Sequence, residues 1–395
     1  MDELYSTKKE CCGCMACFNI CPKHAITMNE DENGFRYPHI NKEKCVECGL
    51  CLKVCNYKKD LKGTSPKECY AACSTQDDVL KITASGGIFT VLASKVIEDK
   101  GIVYGAGMFL QDNQRSIKHT RISNESDLYI LSGSKYAQSD INSVFNQIKN
   151  DIRNERQVLF AGTPCQVDGL LGFLGGVSEY LTTIDIICHG VPNTKIFFDY
   201  IDYLEHTSSR RIIDFKFRDK TKGWGLKGSY TYIDSDGKKK VVLSDSKDSS
   251  YYQFFLGSDI YRDNCYSCKY ACGNRCSDIT LGDYWGIEEM HPEYLLDNCG
   301  CIDAHKGVSC ILVNSSKGMQ LLNSINKEEM VLLPTTLDKV RKTNRQLNMP
   351  SEYGKYRKKV LSKYRKEGYS AVESFWKHIE MKKRVKDQIK KMIGR

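Results

Sequence analysis

The stretch "CCGCMACFNICP", residues 11–22, decides how the first part of this chain folds. It places Cys11, Cys14, Cys17 and Cys21 at C-x2-C-x2-C-x3-C spacing, followed by Pro22, and "CVECGLCLKVC" (45–55) repeats that spacing at Cys45, Cys48, Cys51 and Cys55. The doubled run is that of a two-cluster bacterial ferredoxin. Three closely spaced thiolates wrap one face of a 4Fe–4S cubane, and the fourth cysteine of each run reaches the other cluster. One expected ligand set is Cys11, Cys14, Cys17 and Cys55; the other is Cys45, Cys48, Cys51 and Cys21. Zinc sites are built from pairs of CxxC, so two identical four-cysteine runs argue against zinc. Cys12 falls off the spacing and reads as a bystander. Asn56 stands where proline is usual, which touches the local backbone and not ligation. Two adjacent cubanes form a one-electron wire, which needs a donor at one end and a two-electron centre at the other.

The rest of the chain has room for that centre. Its 395 residues, 41% hydrophobic and 27% charged, are ordinary for a globular protein of two or three domains. No apolar run is long enough for a transmembrane helix, and the start "MDELYSTKKE" carries no apolar signal region. Twenty cysteines in a chain without such a signal point to metal or redox chemistry in a reducing cytoplasm rather than to a disulfide scaffold. The net charge is +9, but residues 351–395 hold fifteen Lys or Arg against five Asp or Glu. The body is therefore near neutral, and the charge gives no reason to expect nucleic-acid binding.

The segment "DLKGTSP" from Asp60 reads as a linker. After it, apolar strands alternate with amphipathic helices, the pattern of an α/β domain with a mainly parallel sheet. "IVYGAGMF" (102–109), "QVLFAG" (157–162) and "YLTTIDIIC" (180–188) are the expected buried strands. A helix follows "TASGG" (83–87) with Ile88, Leu92, Val96 and Ile97 on one face, and another spans about Thr194 to Glu205. The expected organisation is an α+β ferredoxin-like two-cluster domain at 1–60, an α/β domain at 66–335, and a basic helical tail at 336–395.

Cys165 falls just past the carboxyl end of one strand and Cys188 ends the next. Ligand crevices of open α/β sheets lie outside those ends, and neighbouring strands are about 4.8 Å apart. With a CxxC pair from "NCYSCKYACGNRC" (264–276), Cys165, Cys188, Cys265 and Cys268 make a four-thiolate set for a third 4Fe–4S cluster. A local set of Cys265, Cys268, Cys272 and Cys276, structural zinc, or inert thiols remain open as alternatives. In "GTPCQ" a helix N-terminus favours thiolate at Cys165, which suits ligation and nucleophilic attack equally. Ligation accounts for all four cysteines, whereas a nucleophile with His189 as its base leaves three without a role. "SGG" at 85–87 opens a helix, so Ser85, Gly86 and Gly87 are candidates for holding a phosphate; a plain helix start with a serine cap is the alternative. Lys135 in "GSKY" and Thr163 in "GTPC" are further candidate cofactor-binding residues. "LGDYWG" (281–286) sets Asp283 and Trp285 at a strand end.

These pieces together resemble the coenzyme F-420 hydrogenase/dehydrogenase beta subunit family. The carrying motifs are "CCGCMACFNICP", "SGGIFTVLASKV", "GSKYAQSD", "LFAGTPCQVDGLLGFL", "DIICHGVP", "CYSCKYACGNRCSDITLGDYWG" and "KGVSCILVN", which span the chain to about residue 320. The resemblance implies FAD in the α/β body and a cubane near it held by the cysteines mapped to Cys165, Cys188, Cys265 and Cys268. The "CHGVP" and "GDYWG" style looks like bacterial members encoded near polysaccharide-synthesis genes. The expectation is an iron–sulfur flavoprotein oxidoreductase passing electrons between a ferredoxin- or flavodoxin-like carrier and a small organic acceptor. An electron-transfer subunit of a larger complex, or a deazaflavin dehydrogenase, is the alternative. No second Gly-rich fingerprint for NAD(P)H is visible.

The end of the chain, "MKKRVKDQIKKMIGR" (381–395), puts Met381, Val385, Ile389, Met392 and Ile393 on one helical face with Lys and Arg on the other. Such a helix packs on the body, docks an acidic partner, or lies on the inner face of a membrane.

Overall fold

The computed structural model describes residues 4–110 and 115–393. In the amino-terminal part, strand β1 (Ile26–Glu30) pairs antiparallel with β2 (Arg36–Ile40). Short helices Ala16–Ile20 and Leu50–Lys53 each start inside a cysteine run. The two runs share a backbone pattern. Gly13 and Glu47, just before the second cysteine, have φ of 71° and 52°; Met15 and Gly49, just after it, have 63° and 71°. Left-handed residues on both sides of a cysteine wrap the chain tightly around its sulfur. The backbone amides of Gly13, Ala16 and Phe18 bond to the sulfurs of Cys11, Cys14 and Cys17.

The expected linker is pinned rather than loose. Thr64 and Arg275 exchange two backbone hydrogen bonds, both 3.0 Å, tying it to the cysteine-rich loop.

The body is built on an eight-stranded sheet of β3 (Glu68–Ser74), β4 (Ile102–Phe109), β5 (Ser116–Ile122), β6 (Val158–Gly162), β7 (Leu181–Ile186), β11 (Ile279–Asp283), β12 (Ser309–Val313) and β13 (Met330–Thr335). The order is β13-β3-β12-β11-β7-β6-β4-β5. The central β11, β7, β6 and β4 are parallel neighbours, and β3 runs the same way because it is antiparallel to β12. β5, β12 and β13 run in the opposite direction. Helices Pro164–Leu174 and Thr194–Ser208 follow β6 and β7, the alternation that the apolar runs predict.

Alternate residues of the strands feed opposite cores. Val103, Leu159, Ile184 and Ile279 face helix Ile88–Glu98. Ile102, Tyr104, Val158, Phe160 and Leu181 face helices Val144–Arg153 and Pro164–Leu174, and Met15, Ala16 and Val54 join that core. The ferredoxin part therefore lies on the helix layer of this second face. Asp168 fastens the contact. It accepts hydrogen bonds from Asn56 Nδ2 (3.0 Å) and from the Tyr270 hydroxyl (2.6 Å), joining three remote segments.

Strands β8 (Ile212–Lys216), β9 (Lys227–Ile233) and β10 (Lys239–Asp245) form a separate antiparallel sheet. It packs an aromatic core of Phe197, Tyr200, Phe217, Tyr251 and Tyr369. The segment after 336 holds helices Leu337–Thr343, Arg357–Glu367 and Tyr369–Ile393, and its first part is no free tail. Val340 and Leu347 are buried under the main sheet, and Val360, Tyr364, Val372 and Phe375 join the aromatic core. Helix Tyr369–Ile393 leaves the body after Ile379, and residues 381–391 are all exposed, including Met381, Val385 and Ile389. The side chains of Met392 and Ile393, also expected on that face, lie outside the described residues. Among the described residues, no helix is long and apolar enough to cross a membrane.

Candidate functional site

Four cavities follow one another through the molecule, and cysteines form most of the walls between them. The outermost is lined by Cys21, Cys45, Cys48 and Cys51. The next is lined by Cys11, Cys14, Cys17 and Cys55, with Cys12, and it shares Cys51 with the first. The eight thiols line these two cavities in the groups that the spacing pairs, with Cys51 bordering both. The Cys21 sulfur also accepts the Ala25 amide at 3.3 Å. Amides aimed at sulfur suit a thiolate cluster, because they stabilise the charge that thiolates carry.

The third cavity is lined by Cys165, Cys188, Cys265 and Cys268, together with Cys12, Thr163, His189 and Asn264. Cys165 opens helix Pro164–Leu174, Cys188 follows β7, and the other two sit in the loop before β11. Cys272 and Cys276 do not line this cavity; their sulfurs lie near the carbonyls of Asn274 (3.4 Å) and Pro164 (3.9 Å). Burial and neighbouring thiols push Cys188 up, and push Cys265 and Cys268 up to about 12. A bound metal cluster relieves that crowding of sulfur charge. Among the described residues no three His, Cys, Asp or Glu side chains converge on one ion-sized point. A cubane does not require this, since each thiolate binds a separate iron.

Cys12, read from the spacing as a bystander, is buried and lines both the second and the third cavity. Its thiol bonds to the sulfurs of Cys14 and Cys165 and is the largest cause of the lowered pKa of each. Cys165 therefore gains thiolate character first from Cys12, ahead of the backbone contribution that its position at a helix start suggests. Thr163 caps that helix reciprocally with Gln166, and its hydroxyl lies 3.2 Å from the Cys165 sulfur.

The fourth cavity, of about 310 Å³, lies at the carboxyl ends of β6, β7 and β11 and the start of helix Ile88–Glu98. Thr163 and Cys188–Val191 line it and the third cavity alike. Its apolar walls include Ile88, Phe89, Leu131, Ile184 and Leu281. Lys135 lies in the wall with Nζ donating to the carbonyls of Ile130 (3.0 Å) and Ser132 (2.8 Å). Burial without a carboxylate partner pushes its pKa down to about 7. His119 is buried and neutral, its pKa pushed down to about 4, with Nε2 on the Ala161 carbonyl and Nδ1 on the Ser139 hydroxyl.

The "SGG" residues divide. Gly87, at φ 81°, and Ser85 line the cavity, but the Ser85 hydroxyl donates to the Val308 carbonyl at 2.9 Å and caps no helix. Gly86 is not in the wall. Its amide donates to Ser309 Oγ at 3.0 Å, and a Cβ there would stand 2.4 Å from the Ala72 carbonyl oxygen. Asp283 also lines the cavity and pairs with buried Arg218 at 2.8 Å, while Trp285 stacks on Trp224. Gln138, Gln166 and Cys12 carried no signal of their own in the sequence; their places depend on remote partners.

A ferredoxin-type fold with two thiol-lined cavities, set on an α/β body, defines an iron–sulfur electron-transfer protein. Residues 155–338 match the family model for the C terminus of the coenzyme F420 hydrogenase/dehydrogenase beta subunit, and residues 10–59 match the 4Fe-4S dicluster domain. Over these two stretches the chain is similar to the coenzyme F420 hydrogenase/dehydrogenase beta subunit family and to dicluster ferredoxins. It is 34% identical over 53 residues, 13% of this chain and 68% of the relative, to an uncharacterized ferredoxin of Methanocaldococcus jannaschii. A chain of the F420-reducing NiFe hydrogenase complex from Methanosarcina barkeri is similar at 18% identity, covering 77% of this chain and 94% of that one, with a TM-score of 0.44.

Proposed function

We propose that this chain is an iron–sulfur flavoprotein oxidoreductase that moves electrons between a low-potential, ferredoxin-like carrier and a small organic acceptor. A third 4Fe–4S cluster would be held by Cys165, Cys188, Cys265 and Cys268, and FAD by the large cavity. The observation that carries this reading is the sharing of walls. Cys51 borders the first two cavities, Cys12 the second and third, and Cys188 the third and fourth. Electron transfer needs such adjacency and needs no moving part.

The donor set of the large cavity suits FAD. Its apolar walls fit a ring system, and Lys135 and the start of helix Ile88–Glu98 offer positive charge to a phosphate. Bound FAD would supply the conversion between one-electron and two-electron chemistry. Thr163 and Lys135 would contact it, with Ser85 and Gly87 at the helix start; the contribution of Gly86 is to hold that loop against β3 and β12. The exposed basic stretch 381–391, with its apolar stripe, suits contact with an anionic surface, that of an acidic carrier or of the membrane's inner face. A cytoplasmic setting suits a chain with twenty cysteines, since a reducing compartment keeps thiols free for metal clusters.

The test is composition. Protein purified without oxygen should carry about twelve iron atoms, three clusters of four, and one FAD. Cys188→Ala should remove about four of them, and Cys276→Ala none. Eight iron atoms and no flavin in the intact chain would overturn the reading. The family description names a beta subunit, so a second reading is an electron-transfer subunit serving a catalytic partner. Turnover of candidate acceptors by the isolated chain with reduced ferredoxin separates the two.

A further inference from the structure

Arg262 is fully buried, the largest such side chain among the described residues, and none of the described Asp or Glu residues pairs with it. Its Nε donates to the Cys11 carbonyl at 2.9 Å and its Nη2 points to the Cys11 sulfur at 3.7 Å. The guanidinium carbon sits over the Tyr37 ring, 3.9 Å from the centroid, and Nη1 reaches Gln138 Oε1 at 3.4 Å. Gly13 makes the space: a Cβ there would stand 3.2 Å from the guanidinium carbon. Its backbone is fixed as well, with the Arg262 amide on the Val191 carbonyl and the Cys265 amide on its own carbonyl.

A buried guanidinium that faces carbonyls, aromatic rings and a thiol sulfur is expensive unless an anion is near. The nearest anionic group that the ligand set can hold is the cluster of Cys11, Cys14, Cys17 and Cys55. That cluster gains one negative charge on each one-electron reduction. Its cavity is walled by the buried side chains of Leu4, Cys12, Met15 and Ala16. Burial disfavours added negative charge, so the inner cluster would be harder to reduce than its neighbour, where Cys48 is exposed. Lys23, the cation in the wall of the outer cavity, is exposed to solvent.

We propose that Arg262 is the built-in counter-charge of the inner cluster. It is a positioning residue that offsets the cost of burial, holding that cluster's reduction potential high enough for an electron to pass inward from the outer cluster. The inference rests on the dicluster domain; Cys165 and Cys265 also feel the Arg262 charge, so the test reads the inner cluster's own signal.

The test is a potentiometric titration of the full-length, anaerobically purified chain, followed by electron paramagnetic resonance, with Arg262→Gln and Arg262→Lys. In Arg262→Gln with iron content intact, the inner cluster should shift to more negative potential by at least the equivalent of a tenfold change in electron distribution, about 59 mV for one electron. The outer cluster should not move, and Arg262→Lys should recover most of the shift. If Arg262→Gln loses about four iron atoms while Arg262→Lys keeps them, the charge is required and the proposal holds. An unchanged potential in iron-replete Arg262→Gln overturns it, as does equal loss of iron from both variants.

Discussion

Gly169 lies directly against Cys14: a Cβ on the glycine would stand 2.7 Å from the Cys14 Cβ and 2.8 Å from its sulfur. One turn further on, a Cβ at Gly172 would stand 2.3 Å from the Val54 carbonyl oxygen. Helix Pro164–Leu174, which carries Cys165 in its first turn, is thus pressed onto the inner-cluster loop through two glycines on one face.

Gly169→Ala should therefore damage the inner cluster rather than the sheet. Overpacking at a tight contact costs about 1–3 kcal/mol, and here the atom displaced is a ligand sulfur. Iron analysis should show loss approaching four atoms with the far-ultraviolet dichroism retained. Gly225→Ala, where nothing lies within 4 Å of the added carbon, is the control and should be silent.

Among the amino-terminal thiols, Cys14→Ser should remove about four iron atoms, and Cys12→Ser should remove none. Cys12 touches Cys14 and Cys165, so its loss should instead alter the spectra of clusters on both sides. Unchanged iron in Cys14→Ser would refute the ligand set.

Cys165 should resist iodoacetamide in the iron-replete protein and react once iron is chelated. Its pKa is lowered, chiefly by Cys12 and with help from Thr163, so as a free thiol it would be quick to alkylate. Mass spectrometry of the labelled peptide reads the outcome. Rapid stoichiometric labelling with iron intact would show that Cys165 ligates nothing.

Lys135 predicts a pH dependence for flavin binding. With its pKa at about 7 the amine carries charge below that value and loses it above. A bound phosphate would hold the proton on, so binding takes up a proton at pH above 7. FAD affinity of deflavinated protein should be flat below pH 7 and should fall above it, by at most about tenfold per unit. Lys135→Gln should bind more weakly at pH 6 and show no slope between pH 7 and 9. Calorimetric titration across that range checks both.

Local pattern determined much of this protein. The two cysteine runs lie within eleven residues each, so the wrap around a cubane is written in spacing and in the left-handed positions beside Cys14 and Cys48. Strand β4 at 102–109 and the strands ending near 162 and 186 follow from short, mostly apolar runs between helices, because burial on both faces favours apolar residues; Thr183 and Asp185 of β7 are buried polar exceptions. Cys165 and Cys188 were legible as a pair because parallel neighbours end on the same side of a sheet. What only tertiary structure decided are contacts between segments far apart in the chain. Arg262 reaches Cys11 across 251 positions, and the Gly86 amide meets Ser309 across 223. Cys12 became a shared wall, and "SGG" a loop partly spent on β12, for the same reason. Shape and hydrogen-bond complementarity between remote surfaces leave no periodicity in either segment, so they exist only once the ferredoxin part has docked on the body.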